Sequence, residues 1–372
     1  MRIGFDAKRA FFNKSGLGNY SRNVINYLLK FFPENKYYLF SPKRSENIFF
    51  ENSENIFTVF PENFLHKKIS SLWRSHWISD DIKKKNIEIF HGLSNELPKS
   101  INRSNTKSVI TIHDLIFIRY PELYNPIDRY IYKQKAKYSC DIADKIIAIS
   151  QQTKNDIIEF LNIDTQKIEV VYQGCNPVYY KKFDQEYKFS VRKKFDLPVE
   201  FILNVGTIEP RKNVLSAIKA IHLKNIDLPL VIVGKKTKYF NEIQNYIKKN
   251  KIENQIQFLD NVSLQELAAI YQLSEIFIYP SVFEGFGIPI IEALNSGIPV
   301  ITSKGGCFSE AGGKDSIYIN PLDIEEIGNA ILELLKNHKI KKNIIENGYK
   351  FVENFREEKI AFDIMNIYKS II

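Results

Sequence analysis

Two doubly wound α/β domains in tandem are what this chain predicts, and three observations carry the expectation. Its 372 residues exceed what a single hydrophobic core serves. Short apolar segments of strand length alternate with amphipathic stretches of helical period through both halves, the pattern of parallel sheets covered by helices. Asn176-Pro177 interrupts regular structure near the middle of the chain and sets a boundary near Gly174–Tyr180, drawn at 178/179.

In the first half, Arg2–Asp6, Tyr37–Phe40, Ile56–Phe60, Ile87–Phe90, Lys107–Ile112, Lys145–Ile149 and Ile168–Val171 predict strands, with helices at 17–30, 127–142 and 151–161. The second half repeats the theme. Phe201–Val205, Pro229–Val233, Ile256–Leu259, Ile276–Tyr279, Val300–Thr302 and Ile317–Ile319 predict strands, and 213–222, 239–250, 263–272 and 287–296 predict helices. Three consecutive helices are expected over 323–337, 339–353 and 357–371. Residues 1–178 and 179–356 therefore form the two domains, and ligands of such sheets bind outside the carboxyl ends of the strands.

Hydrophobic content of 44% and charged content of 26% describe a soluble globular protein. Cys140, Cys175 and Cys307 form no C-x-x-C pair, which argues against a disulfide framework and a structural zinc site and favours a reducing compartment. Residues 1–30 are charged throughout, unlike a signal peptide, and no run approaches the ~18 apolar residues of a membrane span. A cytoplasmic protein is expected. Its net charge of +9 sits mainly in residues 1–178, which hold 26 Lys and Arg against 19 Asp and Glu. No zinc-finger spacing, RNP-like motif or long basic tail accompanies that excess, so nucleic acid is not expected as a partner. Residues Phe64 to Trp77 interleave Leu72, Trp73 and Trp77 with Lys67, Lys68 and Arg74. That suits peripheral contact with an anionic membrane, or else the two tryptophans are core contacts of an i, i+4 helical face.

The most informative stretch is Ser281-Val282-Phe283-Glu284-Gly285-Phe286-Gly287-Ile288-Pro289-Ile290-Ile291-Glu292-Ala293, a strand-to-helix junction with two carboxylates. Gly285 and Gly287 let backbone approach a ligand, and the first amides of the following helix suit a diphosphate. Glu284 stays in the loop while Glu292 lies about 7–8 Å along the helix. One carboxylate can take sugar hydroxyls and the other ribose hydroxyls, since both are acceptors. A second stretch, Gly206-Thr207-Ile208-Glu209-Pro210-Arg211-Lys212-Asn213, delivers two cations at a strand's carboxyl end. There they stabilise charge building on a departing diphosphate, and their position at a helix N-terminus, opposed by the macrodipole, points to function. No Asp-x-Asp is present, Asp80-Asp81 reads as a solvated helix cap, and no metal is expected. His113 follows a buried strand and can donate to a substrate oxygen. Gly16 and Gly18 open a helix after the first strand.

The Glu-x7-Glu pattern with its Gly-Phe-Gly core resembles retaining glycosyltransferase family 4. The resemblance implies the GT-B fold, two Rossmann-like domains facing each other across a cleft, with the acceptor domain first, the nucleotide-sugar domain second and helix 357–372 rejoining the first. Residues 206–213 are similar to the family's donor-diphosphate motif, His113-Asp114 to its first-domain sugar-site motif, and the Gly16–Gly18 loop to one bearing on the donor and acceptor. The implied donor site comprises Gly16, Gly18, Gly206, Arg211, Lys212, Glu284, Gly285, Phe286, Gly287 and Glu292. His113, Arg211, Lys212 and Glu284 are the implied catalytic set. No cofactor is implied beyond the co-substrate, GDP-mannose by similarity to mannosyltransferases with the same 206–213 motif, or a UDP-sugar. The acceptor would be a glycan or a lipid-linked glycan in cell-surface polysaccharide synthesis. Ser309 departs from the family, which has proline there. Two rivals are a nucleotide-sugar epimerase of related fold and a catalytically silent scaffold subunit. A dinucleotide oxidoreductase is disfavoured, because no complete G-x-G-x-x-G directly follows a strand.

Overall fold

The computed structural model describes residues 1–13, 15–44, 50, 54–103 and 105–372. These divide into two compact units, Met1–Gly174 with Phe355–Ile372, and Cys175–Asn354. The division falls within the expected Gly174–Tyr180 stretch, four residues before 178/179, and Asn176-Pro177 opens an element just after it. Val178 N donates to Asn176 Oδ1 at 3.0 Å, capping a 3₁₀ turn over Pro177–Tyr180 that buries Val178 and Tyr179.

Among the described residues the first unit holds a seven-stranded parallel sheet. Its strands are β1 (Arg2–Asp6), β2 (Lys36–Phe40), β3 (Ile56–Val59), β4 (Ile89–Gly92), β5 (Lys107–Ile112), β6 (Lys145–Ala148) and β7 (Ile168–Val170), in the order β3-β2-β1-β4-β5-β6-β7. β4 starts later than Ile87, where it was expected. Asn86 takes a left-handed φ of 52° and Ile87 N donates to Ile82 O at 3.1 Å, so Ile87 closes the preceding helix. The buried faces of β2, β4, β5 and β6 join the helices in one apolar core. The last helix, Glu357–Lys369, packs on the Gly16–Phe31 helix, and buried Tyr368 Oη lies 2.6 Å from His91 Nδ1.

In the Phe64–Trp77 stretch the two tryptophans are core contacts, the second of the two expected readings, on a π turn instead of a regular helical face. Between short helices, Trp73–Trp77 forms a π turn, and Trp73 is 0% exposed. Its indole Nε1 donates to Asp81 Oδ2 at 2.7 Å, so Asp81 is the tryptophan's partner and not a solvated cap. Trp77 is partly buried against the core and stacks on His66 at 4.5 Å.

The second unit carries a six-stranded parallel sheet of β8 (Ile202–Val205), β9 (Leu230–Val233), β10 (Ile256–Leu259), β11 (Ile276–Tyr279), β12 (Val300–Ser303) and β13 (Ile317–Ile319), in the order β10-β9-β8-β11-β12-β13. A helix over Gln185–Phe195 was not expected. It buries only Val191, and is held by the Asp184 N-cap and a left-handed Asp196 at its end, devices that leave no apolar stripe to read.

Candidate active site

The strand order of the second unit reverses between β8 and β11, the switch point at which a doubly wound sheet binds its ligand. Both signature stretches lie on the carboxyl ends of these two strands. Gly206, with φ of 155°, turns the chain out of β8, and Pro210–Lys212 forms a 3₁₀ turn. Asn213 Nδ2 donates to Pro280 O at 3.2 Å and Val282 N donates to Arg211 O at 2.8 Å. These bonds tie the loops into one surface.

Glu284 sits at the centre of that surface. Its Oε2 lies 2.9 Å from Arg211 Nη1, and its Oε1 lies 2.6 Å from Lys212 Nζ. Ser281 Oγ and Tyr279 Oη donate to Oε1 at 2.6 and 3.0 Å. Burial pushes the carboxyl up, but Lys212, Arg211 and the Ser281 hydroxyl overcome it and hold the pKa down at about 2. Arg211 also meets Glu209 at 2.7 Å and donates to Phe283 O. Cys307 Sγ donates to the carbonyls of Phe286 and Glu284 at 2.8 and 3.2 Å, which fixes the loop. Burial and the neighbouring Glu284 raise the Cys307 thiol well above its usual range, so it remains a donor.

Gly287 takes a φ of 126°, open to glycine alone at low cost, and starts the Ile288–Asn295 helix. Glu292 lies on that helix among phenols. Tyr271 Oη donates to its Oε2 at 3.0 Å, and Tyr179 hydrogen-bonds it as well. Burial raises its pKa to about 7 against the pull of these two hydroxyls. The eight-residue spacing thus sets one carboxylate among cations and the other where a proton is held near neutrality.

In the first unit, His113 follows β5 and is 5% exposed. Its Nε2 donates to Leu93 O at 2.9 Å, and Tyr20 packs edge-on at 4.6 Å. Burial, opposed by the bond to Leu93, brings its pKa down to about 4. The imidazole is neutral with its proton on Nε2, so the expected donor role is corrected: Nδ1 is an acceptor. Gly18 answers a packing need, because a Cβ there would lie 1.8 Å from Asn13 O. Nothing crowds Gly16 within 4 Å.

Sequence reasoning missed Ser281, Tyr279, Tyr271, Tyr179 and Cys307. Ser281 and Tyr279 flank the glutamate motif, and the burial of a strand's last polar side chains beside it is the signal that was there to find.

Two family models match this chain. The one described as Glycosyltransferase Family 4 matches residues 14–178, and Glycosyl transferases group 1 matches residues 186–351. This chain belongs to glycosyltransferase family 4. O-antigen chain mannosyltransferase RfbU of Salmonella typhimurium is 30% identical over 259 residues, covering 67% of this chain and 69% of that protein. O-antigen chain mannosyltransferase B of Escherichia coli is 28% identical over 302 residues, covering 80% and 77%. Among solved structures, sucrose-phosphate synthase of Thermosynechococcus elongatus superposes with a TM-score of 0.80 at 19% identity, covering 100% and 99%. HepE of Anabaena with UDP and glucose gives 0.79 at 17%, covering both chains fully. The fold is GT-B and the protein is a glycosyltransferase.

Proposed function

We propose that this enzyme moves a hexose, mannose in the first instance, from a nucleotide diphosphate sugar to a glycan or lipid-linked acceptor in polysaccharide synthesis, with retention of configuration. The observation that carries the reading is the Arg211–Glu284–Lys212 cluster at the β8/β11 switch point. Two cations held together on one buried carboxylate are preorganised for a diphosphate. When it binds, they turn part of their charge to its oxygens and stabilise the negative charge that grows as the sugar–phosphate bond breaks. Glu284, relieved of part of that pairing, accepts from sugar hydroxyls. The Ile288 amide at the helix start turns to the phosphates, Pro289 having no N–H and Ile290 N donating to Gly287 O at 2.9 Å, while Glu292 takes the ribose and His113 contributes an acceptor nitrogen for a hydroxyl.

Similarity to O-antigen mannosyltransferases supports GDP-mannose, and the UDP complex of a fold neighbour keeps UDP-sugars in the panel. The positive charge needed comes from Arg211 and Lys212, so we expect no resident metal and activity in excess EDTA. Loss of activity restored by magnesium would overturn that element. We place the enzyme in the cytoplasm, with any anionic membrane met by Phe64, Lys67 and Lys68. Phe64 is 74% exposed, whereas Trp73 is buried and Arg74 is engaged in ion pairs.

The test is a nucleotide-sugar panel read by thermal shift and then by product analysis with and without acceptor. Ligand-dependent stabilisation with sugar transfer only when acceptor is present is expected. A changed sugar on the nucleotide without acceptor would instead establish the epimerase reading, and no product with any donor would leave the scaffold.

A further inference from the structure

A chain of buried polar side chains runs through the first unit and ends on His113. Tyr368, on the Glu357–Lys369 helix, places its Oη 2.6 Å from His91 Nδ1. His91 Nε2 lies 2.8 Å from Thr111 Oγ1, and the same hydroxyl lies 3.0 Å from Tyr20 Oη. Tyr20 in turn sets its ring edge-on to the His113 imidazole, at an interplanar angle of 88°. The chain thus joins the last helix to the Gly16–Phe31 helix through two adjacent strands, β4 and β5. Tyr368, His91 and Thr111 are 0% exposed.

Such a chain destabilises the fold unless its members find partners, because a buried polar group without one loses its hydration uncompensated. Burial, with His113 a smaller cause, brings the His91 pKa down to about 3, so its ring is neutral, donating from one nitrogen and accepting at the other. Tyr368 O–H to Nδ1 and Nε2–H to Thr111 Oγ1 gives each of these groups a partner. A buried network satisfied in this way specifies one arrangement, whereas apolar side chains of the same size would fill the space with no such demand. What the arrangement fixes is the last ring in the row. His113 N donates to Asn95 Oδ1 and its Nε2 to Leu93 O, both at 2.9 Å. These bonds hold the backbone and one ring nitrogen but leave the ring free to rock about the second bond. The edge of Tyr20 stops that rocking, and Thr111 holds Tyr20.

We propose that Tyr20, Thr111, His91 and Tyr368 are positioning residues for sugar transfer, fixing the plane of the His113 ring and with it the direction in which the Nδ1 lone pair meets the hydroxyl assigned to it. None of the four needs to touch substrate. The inference rests on the acceptor-nitrogen role given to His113 above and extends the site to a helix at the far end of the sequence.

The experiment compares Tyr20→Phe, Tyr368→Phe and His113→Gln with Tyr37→Phe in the full chain. Tyr37 is a fully buried tyrosine of the same unit whose hydroxyl donates to Leu28 O and Phe32 O, and it controls for the loss of a buried hydroxyl. Two quantities are read: turnover of GDP-mannose as released GDP in the presence of methyl α-mannoside, and the imidazole NMR signals of protein labelled only at its six histidines. Tyr20→Phe is expected to lower kcat about tenfold and Tyr368→Phe about threefold, within the roughly 10²-fold that a displaced catalytic group can cost, with KM for GDP-mannose unchanged. In both, the His113 Nε2–H signal should shift and its proton exchange with solvent at least about tenfold faster, as its hydrogen bond opens more often. Tyr37→Phe should leave kcat and this signal as in wild type. Added to His113→Gln, Tyr20→Phe should lower kcat no further, since a residue acting through another has nothing left to act on. An additive loss in that double variant overturns the proposal, as does a His113 signal unmoved by Tyr20→Phe and Tyr368→Phe. That signal needs no substrate, so it decides the network even if GDP-mannose is not the donor. Normal kcat in His113→Gln overturns instead the role of His113 on which the proposal rests. Should a Phe variant fail to fold, Thr111→Val removes the shared hydroxyl on an isosteric side chain and makes the same comparisons.

Discussion

Glu284 and Glu292 are both glutamates of one thirteen-residue motif, yet the structure drives their titrations in opposite directions. Glu284, held between Arg211 and Lys212, is brought down to about 2. Glu292, held by Tyr271 and Tyr179 with burial dominant, is brought up to about 7. Burial opposes ionisation at both, so the partners decide: cations outweigh desolvation and phenols do not. The loop glutamate is a fixed charge that keeps two cations in register. The helix glutamate is a group whose charge a ligand can change.

The largest effect that sharpens this contrast is in turnover. Arg211→Ala and Lys212→Ala should each lower kcat by on the order of 10²–10³, the usual loss when one donor to developing charge is removed. The ion pairs that both cations make with Glu284 add a second consequence, for stability. Removing either cation strands part of a buried charge, so both variants should also melt earlier than wild type. Adding Glu284→Gln to Lys212→Ala should recover stability without recovering turnover. Near-normal turnover in both single variants would break the assignment.

A smaller effect separates the two carboxylates by ligand. Glu292→Ala should weaken nucleoside diphosphate binding by roughly 10–100-fold, as expected for losing a charged hydrogen-bond partner. Glu284→Ala should leave that binding intact or tighten it, because Arg211 and Lys212 lose their competing acid, while sugar transfer falls. Calorimetry with the nucleotide alone decides, and equal losses in the two variants would erase the comparison.

Much of this could be read from the chain because it is local. Glu284, Gly287 and Glu292 lie on one loop and one helix, and the spacing alone puts them in different places. The alternation of apolar segments likewise located the strands among the described residues, with ends off by a residue in several and by two at β4, where left-handed Asn86 closes the preceding helix. What was illegible is non-local. The Arg211–Glu284 pair joins residues in separate β/α units, and nothing in either stretch says that each neutralises the other. Trp73 carries the same point. Its basic, aromatic surroundings suit an interface, but the π turn that buries it and the Asp81 that receives its indole follow from packing.

The smallest effect is in pH, and its sign follows from the direction of the shift at Glu292. A folded pKa of about 7 against 4.5 in the reference state means that the folded protein holds the extra proton between those values. Stability from this group is therefore full below pH 4.5 and is lost as pH rises through 7. Ribose hydroxyls donate to the ionised carboxylate, so ligand binding draws the proton off. A nucleotide sugar, whose phosphates do not titrate in this window, should gain up to about tenfold in affinity from pH 6 to 8, the change in the ionised fraction of a group with pKa near 7. Glu292→Gln keeps a partner for the two tyrosines and removes the titration. In that variant affinity should be lower and flat across the window, and the fall in melting temperature between pH 4.5 and 7 should be shallower. A wild-type affinity that does not change from pH 6 to 8, or a slope that survives Glu292→Gln, would show that Glu292 does not meet the ribose and that the two carboxylates differ in environment alone.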